Sequence, residues 1–216
     1  MKDSSNPKQM VVEGHDDLFS VVGLMRAHIP WPEDWMKAPV HIRVAFGADE
    51  ILRRGYIDGL LKGSVVKTLG VMLDADANPH GRYQSIYDLC ISFFPGMPKS
   101  IAPEGIVIAS ADEKRFGVWI MPDNGSPGNL ETFLKFLVPN RLEPIWAHAV
   151  ESAKVAKRMG CECRDCHIDK QNLYTWLAWQ DPPGQGPGEA LTKKVLDPHA
   201  AHAEPFVKWF RNLYEL

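Results

Sequence analysis

Short apolar runs that stop at Gly, Asp or Pro, separated by segments with helical periodicity, fill the first 140 residues and constrain the fold more than any other feature. MVVEG (10–14) reads as a buried strand, and DDLFSVVGLMRAHI (16–29) as a helix with Leu18, Val21, Val22 and Met25 along one side. HIRVAFG (41–47) is a second strand, ADEILRRGYIDGLLKG (48–63) a second helix and VVKTLGVMLDAD (65–76) a third strand. NPHG then acts as a breaker before a helix over RYQSIYDLCISFF (82–94). GIVIAS (105–110) and FGVWIMPD (116–123) suggest a hairpin, and NLETFLKFLV (129–138) a further helix. This β-α-β-α-β-α order predicts an α/β fold: a mostly parallel sheet with helices on both faces and an antiparallel addition.

The pattern changes near residue 141. PIWAHAVESAKVAKRMG, QNLYTWLAWQ and AEPFVKWFRNLYEL each read as helices, and DPPGQGPG (181–188) as a flexible connector or lid. The expected organisation is therefore an α/β domain over 10–140 and a helix-rich extension over 141–216 packed on it. A length of 216 residues is enough to bury a sizeable core. With 24 Lys and Arg against 27 Asp and Glu, the formal charge of −3 excludes a bulk basic field for nucleic acid, so any such binding needs a local patch or bridging cations. MKDSSNPKQM lacks an apolar leader core, and no apolar run is long enough to cross a bilayer, which predicts a cytoplasmic protein without membrane attachment.

In parallel sheets ligands bind outside the carboxyl ends of the strands. Acidic residues follow three of the five predicted strands: Glu13 after the first, Asp74 and Asp76 after the third, Asp123 after the fifth. In an extended segment alternate side chains point the same way, so Asp74 and Asp76 are expected to face one site. Carboxylates so close repel unless a cation lies between them, and a hard divalent ion with oxygen ligands is the usual answer. Asp17, one turn after Glu13, could return to that site. Each element also has a plainer reading: Asp16 and Asp17 as helix caps, Asp74 and Asp76 as turn formers.

VVEGHDD followed by LGVMLDAD resembles the signature of the Toprim domain, which places a glutamate after its first strand and Asp-x-Asp after its third. The likeness covers roughly residues 10–138 and is nearest to the Toprim portion of OLD-type (overcoming lysogenization defect) nucleases and the small Toprim-like proteins related to them. It implies Mg²⁺ or Mn²⁺, two ions in all, held by Glu13, Asp17, Asp74 and Asp76. MPDNGSPGNLETFL resembles the third acidic segment of that group and implies Asp123 and Glu131 as ligands of the second ion. Lys170, in DKQNLYTWLAWQ, is the counterpart of a catalytic lysine. The implied activity is metal-dependent hydrolysis of phosphodiester bonds in nucleic acid, with Glu13, Asp74, Asp76 and Lys170 as catalytic residues and a setting in defence against mobile DNA. One departure stands out. No G-x-x-x-x-G-K-[ST] occurs, so the ATPase of full-length OLD nucleases is missing here, and a separate ATPase protein is the partner the resemblance suggests.

For the substrate backbone, RR at 53–54, Arg82, and the helical cluster with Lys154 and Arg158 are the candidates, since basic residues at i, i+3 and i+4 form one positive face. CECRDCH offers Cys161, Cys163, Cys166 and His167 as zinc ligands. All four crowd into seven residues without a distant second pair, which favours a metal-free loop. Trp146, Trp176, Trp179 and Trp209 lie on helical apolar faces, and core packing accounts for most of them better than base stacking. Two other functions compete: a non-cleaving Toprim-like module that binds nucleic acid or a nucleotide and regulates a partner ATPase, and a small-molecule phosphohydrolase. Homo-oligomerisation is left open.

Overall fold

The computed structural model of the chain describes residues 5–216; residues 1–4, part of the N-terminal stretch read above as lacking a leader, lie outside it. Five strands form one sheet: β1 (Lys8–Val12), β2 (His41–Val44), β3 (Thr68–Asp74), β4 (Ile106–Ala109) and β5 (Arg115–Met121). Their order is β2-β1-β3-β5-β4. The first four in that order run parallel, and β4 pairs antiparallel with β5 as the second arm of a hairpin. The predicted α/β architecture, with its mostly parallel sheet and helical C-terminal region, is the one observed.

Side-chain alternation along the strands divides the core in two. Val11, Leu69, Val71, Leu73, Phe116, Val118 and Ile120 face one layer of helices, α2 (Ala48–Leu52), α3 (Tyr56–Lys62) and α4 (Pro79–Cys90). Met10, Val12, Met72, Trp119 and Met121 face the other, built from α1 (His15–Met25), α5 (Leu130–Lys135), α6 (Glu143–Arg158), α7 (Ile168–Leu177), α8 (Pro187–Thr192) and α9 (Glu204–Tyr214). Residues of the C-terminal region, among them Trp146, Trp176, Phe206 and Leu213, belong to the same apolar cluster as β1 and α1. The change of pattern at 141 is thus a change of secondary structure within one continuous core.

Glycine decides two close approaches. Gly70 and Gly117 are paired across β3 and β5, and a side chain on either would collide with α9, at the Tyr214 hydroxyl or at Leu213. In the space they leave, Tyr214 Oη donates to the Gln9 carbonyl at 2.8 Å; beside them Trp209 Nε1, packed close to Gly105, donates to the carbonyl of Ile106 at 2.9 Å. On α1, a Cβ at Gly23 would strike the Gly188 carbonyl, and one at Gly188 would strike the backbone of Phe19. The second half of DPPGQGPG is therefore no mobile lid. Pro187 and Gly188 open α8 and are buried against α1.

Three boundaries differ from expectation for identifiable reasons. The helix predicted over 48–63 breaks into α2 and α3, because Arg53 turns extended (ψ 128°) and Gly55 takes φ 92°. NPHG does not interrupt structure but starts it: the Asn78 side chain accepts from Gly81 N–H and Pro79 occupies the first turn, so α4 begins before Arg82. β3 ends at Asp74, and Asp76 sits at φ 51° with its N–H on the Gly128 carbonyl at 2.8 Å, which ends the strand alternation. No helix among the described residues is long and apolar enough to cross a membrane.

Candidate active site

At the carboxyl edge of the sheet a cavity of about 460 Å³ is lined by Glu13, Asp16, Asp17, Asp74, Asp76, Glu131 and Lys170, with Asn129, Cys166 and His167 on its rim. Four separate elements bring the acids there. Glu13 leaves β1, and its Oε1 accepts from Asp74 N–H at 2.8 Å, tying the ends of the two central strands together. Asp17 lies in the first turn of α1, where its Oδ2 accepts from Gly14 N–H at 2.7 Å. Asp74 ends β3, and its Oδ1 accepts from Leu130 N–H at 2.9 Å, the first amide of α5. Glu131 follows on the same turn, which Asn129 caps by accepting from Thr132 N–H at 3.0 Å. The capping reading of Asp17 and its place in the acidic cluster are both realised by one side chain.

Burial sets the electrostatics. Asp17 and Glu131 are each only 7 % exposed. Desolvation, followed by the charges of Glu13, Glu131 and Asp16, pushes Asp17 up to about 7. Desolvation raises Asp74 well above the usual carboxylate range, with Asp17, Glu13 and Glu131 adding to the rise. Glu13 is raised as well, again by burial first, with the Asp74 N–H opposing it. Such a set is costly to ionise and gains from any added positive charge. One cation is already present: Lys170 Nζ lies 2.9 Å from Asp16 Oδ2 and 3.2 Å from Glu131 Oε1. Although partial burial works against it, the bond to Asp16 and the charge of Glu131 raise the Lys170 pKa. Tyr174, one turn along α7, also donates to Asp16 Oδ2 at 2.9 Å.

The donors are oxygens of the kind that hard divalent cations take. On Asp17 and Asp74 one carboxylate oxygen is engaged by a backbone N–H, which leaves a second oxygen on each. Among the described residues no group of three or more His, Cys, Asp and Glu side chains stands arranged to hold a metal ion as it is. The carboxylates answer to backbone amides and to Lys170 in this arrangement.

Other predicted residues fall elsewhere. Asp76 reaches the cavity, but not by the strand alternation expected of Asp-x-Asp; its carboxylate pairs with Arg82 at 2.5 Å. Asp123 accepts from Gly125 and Ser126 in its own turn and does not line the cavity. Those two N–H bonds outweigh its partial burial and hold its pKa down. Of the predicted backbone-binding cations, Arg53 pairs with Glu50, while Lys154 and Arg158 both pair with Glu151. None of the five, Arg54 included, lines the acidic cavity. Three cysteines of the 161–167 loop are free thiols; Cys166 and His167 touch the rim, and Cys161 accepts from Gln171. Trp146, Trp176 and Trp209 are core residues, whereas Trp179 is half exposed and stacks on His148.

Sequence reading missed Asp16 as the partner of Lys170, and Tyr174 altogether. The i, i+4 spacing of Lys170 and Tyr174 on a helix was the available signal. It also missed an aromatic row next to the cavity, His15, Phe19, Trp35 and Phe46, because these rings come from three separate segments.

No curated protein and no solved structure matches the chain. The sequence pattern of one family does, across residues 7–215, and its description is "Protein of unknown function (DUF3226)". With nearly the whole chain matched, β1 through α9 included, the protein belongs to the DUF3226 family.

Proposed function

We propose that the chain is a metal-dependent phosphodiesterase acting on nucleic acid, a Toprim-like nuclease. One observation carries this reading: Glu13, Asp17, Asp74 and Glu131 converge from four elements on one cavity at the carboxyl edge of a parallel sheet, Asp17 and Glu131 buried and Glu13 and Asp74 half-buried. Drawing four acids together out of water costs stability unless more positive charge joins them than Lys170 alone supplies. The adjacency of β1 and β3, which brings Glu13 onto the Asp74 amide, also supports the resemblance to Toprim domains.

In this reading Glu13, Asp17 and Asp74 hold a divalent cation of the Mg²⁺ or Mn²⁺ type. When bound, such an ion lowers the pKa of a water and draws charge from a phosphoryl oxygen. The chain's own residues do the rest. The backbone amides of Gly14, Asp74 and Leu130 fix three carboxylates in place, so that their orientation costs little at the moment of reaction. Lys170 holds a full positive charge at the cavity wall, where it can face a phosphate if its bond to Glu131 opens. Glu131 and Asp76 stand ready for a second cation, each at present paired with a basic residue.

Purified protein is incubated with plasmid, linear DNA and single-stranded RNA under Mg²⁺ and Mn²⁺, beside Glu13→Gln and Asp74→Asn. Cleavage by the wild type and its loss by about 10²-fold or more in both variants is the expected result. Calorimetry should in parallel show Mn²⁺ binding that both variants weaken. A wild type that neither binds the ion nor cuts any polymer defeats the reading.

A further inference from the structure

We infer that the aromatic row beside the acidic cavity is a stacking platform for unpaired nucleobases, so that the strand entering the site is single-stranded DNA or RNA. This rests on the nuclease reading for its setting but on different residues for its support. The row runs Phe46, His15, Phe19, Trp35: His15 lies 5.5 Å from Phe46 and 6.4 Å from Phe19, and Phe19 lies 6.3 Å from Trp35, centroid to centroid. The three large rings are 70 %, 49 % and 51 % exposed, for Phe46, Phe19 and Trp35 in turn.

Phe46 is the most informative of them. It follows β2 at the same sheet edge as Glu13, whose carbonyl accepts from Gly47 N–H at 3.1 Å. Its φ is 63°, a left-handed conformation that a phenylalanine adopts only at a cost. A ring held in that conformation and left in water stabilises the fold neither by backbone nor by burial. A contact outside the chain is what would use it.

The surroundings select the occupant. His15, Phe19 and Arg26 lie along one stripe of α1, at i, i+4 and i+11, over about 16 Å of helix. Phe19, Arg26 and Trp35 line a groove of about 480 Å³, and Asp16 lines both this groove and the acidic cavity, so the two adjoin. Of the groove's two acids, Glu189 pairs with Lys193, and Asp16 with Lys170, which it shares with Glu131. Arg26 has no ion pair among the described residues, so its guanidinium is free to meet a phosphate. Exposed flat rings suit base faces, and the unpaired Arg26 guanidinium in the adjoining groove suits a phosphate, the two chemistries that a nucleic acid strand offers. In a duplex the base faces are stacked and hidden, so only unpaired bases can use these rings.

The test compares, by fluorescence anisotropy in Ca²⁺, short oligothymidylate, oligouridylate, an abasic strand of equal length and charge, and a duplex. Base-bearing single strands should bind at least about fivefold tighter than the abasic strand. Phe19→Ala and Phe46→Ala should each erase that margin, while Phe19→Trp and Phe46→Tyr keep it, with circular dichroism confirming that all four fold. Preference between the thymidylate and uridylate arms identifies the polymer. Equal binding of base-bearing and abasic strands, tighter binding of duplex, or alanine variants that bind as the wild type would overturn the inference. So would self-association that the alanine changes abolish without altering oligonucleotide binding, which would give the row to a second copy of the chain. Cleavage without base preference removes the platform and spares the nuclease; base-dependent binding without cleavage does the reverse.

Discussion

The seam between α9 and the sheet and the acidic cavity at the sheet's edge bury side chains for opposite ends. Under α9, Gly70 and Gly117 make room for Tyr214 and Leu213 and Gly105 for Trp209, and Tyr214 and Trp209 bury their rings while each hands its polar atom to a carbonyl. That is burial in which both of these polar atoms are satisfied, the arrangement that adds to stability. In the cavity, buried Asp17 and Glu131 and half-buried Asp74 crowd together, and desolvation raises Asp17 and Asp74 away from their ordinary ionisation. That is burial that costs stability. One chain thus holds a surplus in its seam and a deficit in its cavity, and a deficit at a strand-end cavity is what a binding site needs to prefer its ligand over an empty state.

The sharpest way to break the contrast is to spoil the seam. Gly70→Ala sets a methyl group against the fully buried Tyr214 hydroxyl, in a place where neither strand nor helix has room to retreat. A loss of about 1–3 kcal/mol in urea unfolding is expected, as for other overpacked cores. Tyr214→Phe, which removes the hydroxyl and its bond to Gln9, should cost about 1 kcal/mol alone. In the double variant the methyl loses its nearest clash, though it still meets Leu213, so its further cost should shrink. Additive losses would mean that the seam is looser than its geometry implies.

The cavity should respond in the opposite direction. Asp17→Asn removes a charge that the fold pays to bury, so without divalent cation the variant should be more stable than the wild type at pH 8. The sign follows from proton linkage: an aspartate with an ordinary value of 3.8 that is raised to about 7 when folded binds more protons in the native state between those limits. Its contribution to stability therefore falls as pH rises from about 4 to about 7 and stays low above that. Below pH 4 both states are protonated and the two proteins should converge. Thermal melts across this range, with and without Mg²⁺, check the point. The ion should raise the wild-type midpoint more at pH 8 than at pH 5, and the Asn variant's less at both. A variant less stable than the wild type at pH 8 without cation would show that its bond to Gly14 outweighs its desolvation.

How much of this could be read from the chain follows from where each signal is stored. The strands and most helices were legible because apolar periodicity is local, and Glu13 and Asp74 were legible because parallel strands end on one side. The break at Arg53 and Gly55 was hidden, since one left-handed glycine inside a helical pattern leaves the periodicity of Ile51, Leu52, Ile57 and Leu60 intact. Asp76 was misjudged because the alternation rule holds only while the strand lasts, and β3 stops at Asp74. DPPGQGPG looked flexible because glycine signals both freedom and close packing, and only the partner helix tells them apart. The pairing of Asp16 with Lys170 spans more than 150 residues, beyond the reach of any local pattern.

Lys170 brings the seam's logic into the cavity, since it gives the buried Glu131 a partner of opposite charge. Its ammonium is half exposed, whereas Glu131 is almost fully enclosed. Exposure discounts the pair toward the value of a surface bridge, and the enclosure of Glu131 raises it again, so Lys170→Met should cost about 1 kcal/mol without divalent cation. The loss should be smaller in Lys170→Arg, which keeps the charge. The outcome in Mn²⁺ decides what the lysine is for. If Lys170 only neutralises Glu131, an added ion takes over that task, and Lys170→Met should regain stability on Mn²⁺ more than the wild type does while still cleaving. If its charge is needed at the phosphate, stability returns with Mn²⁺ but cleavage stays at least about tenfold down, because the ion beside Glu131 cannot also supply the lysine's contact with the phosphoryl oxygens.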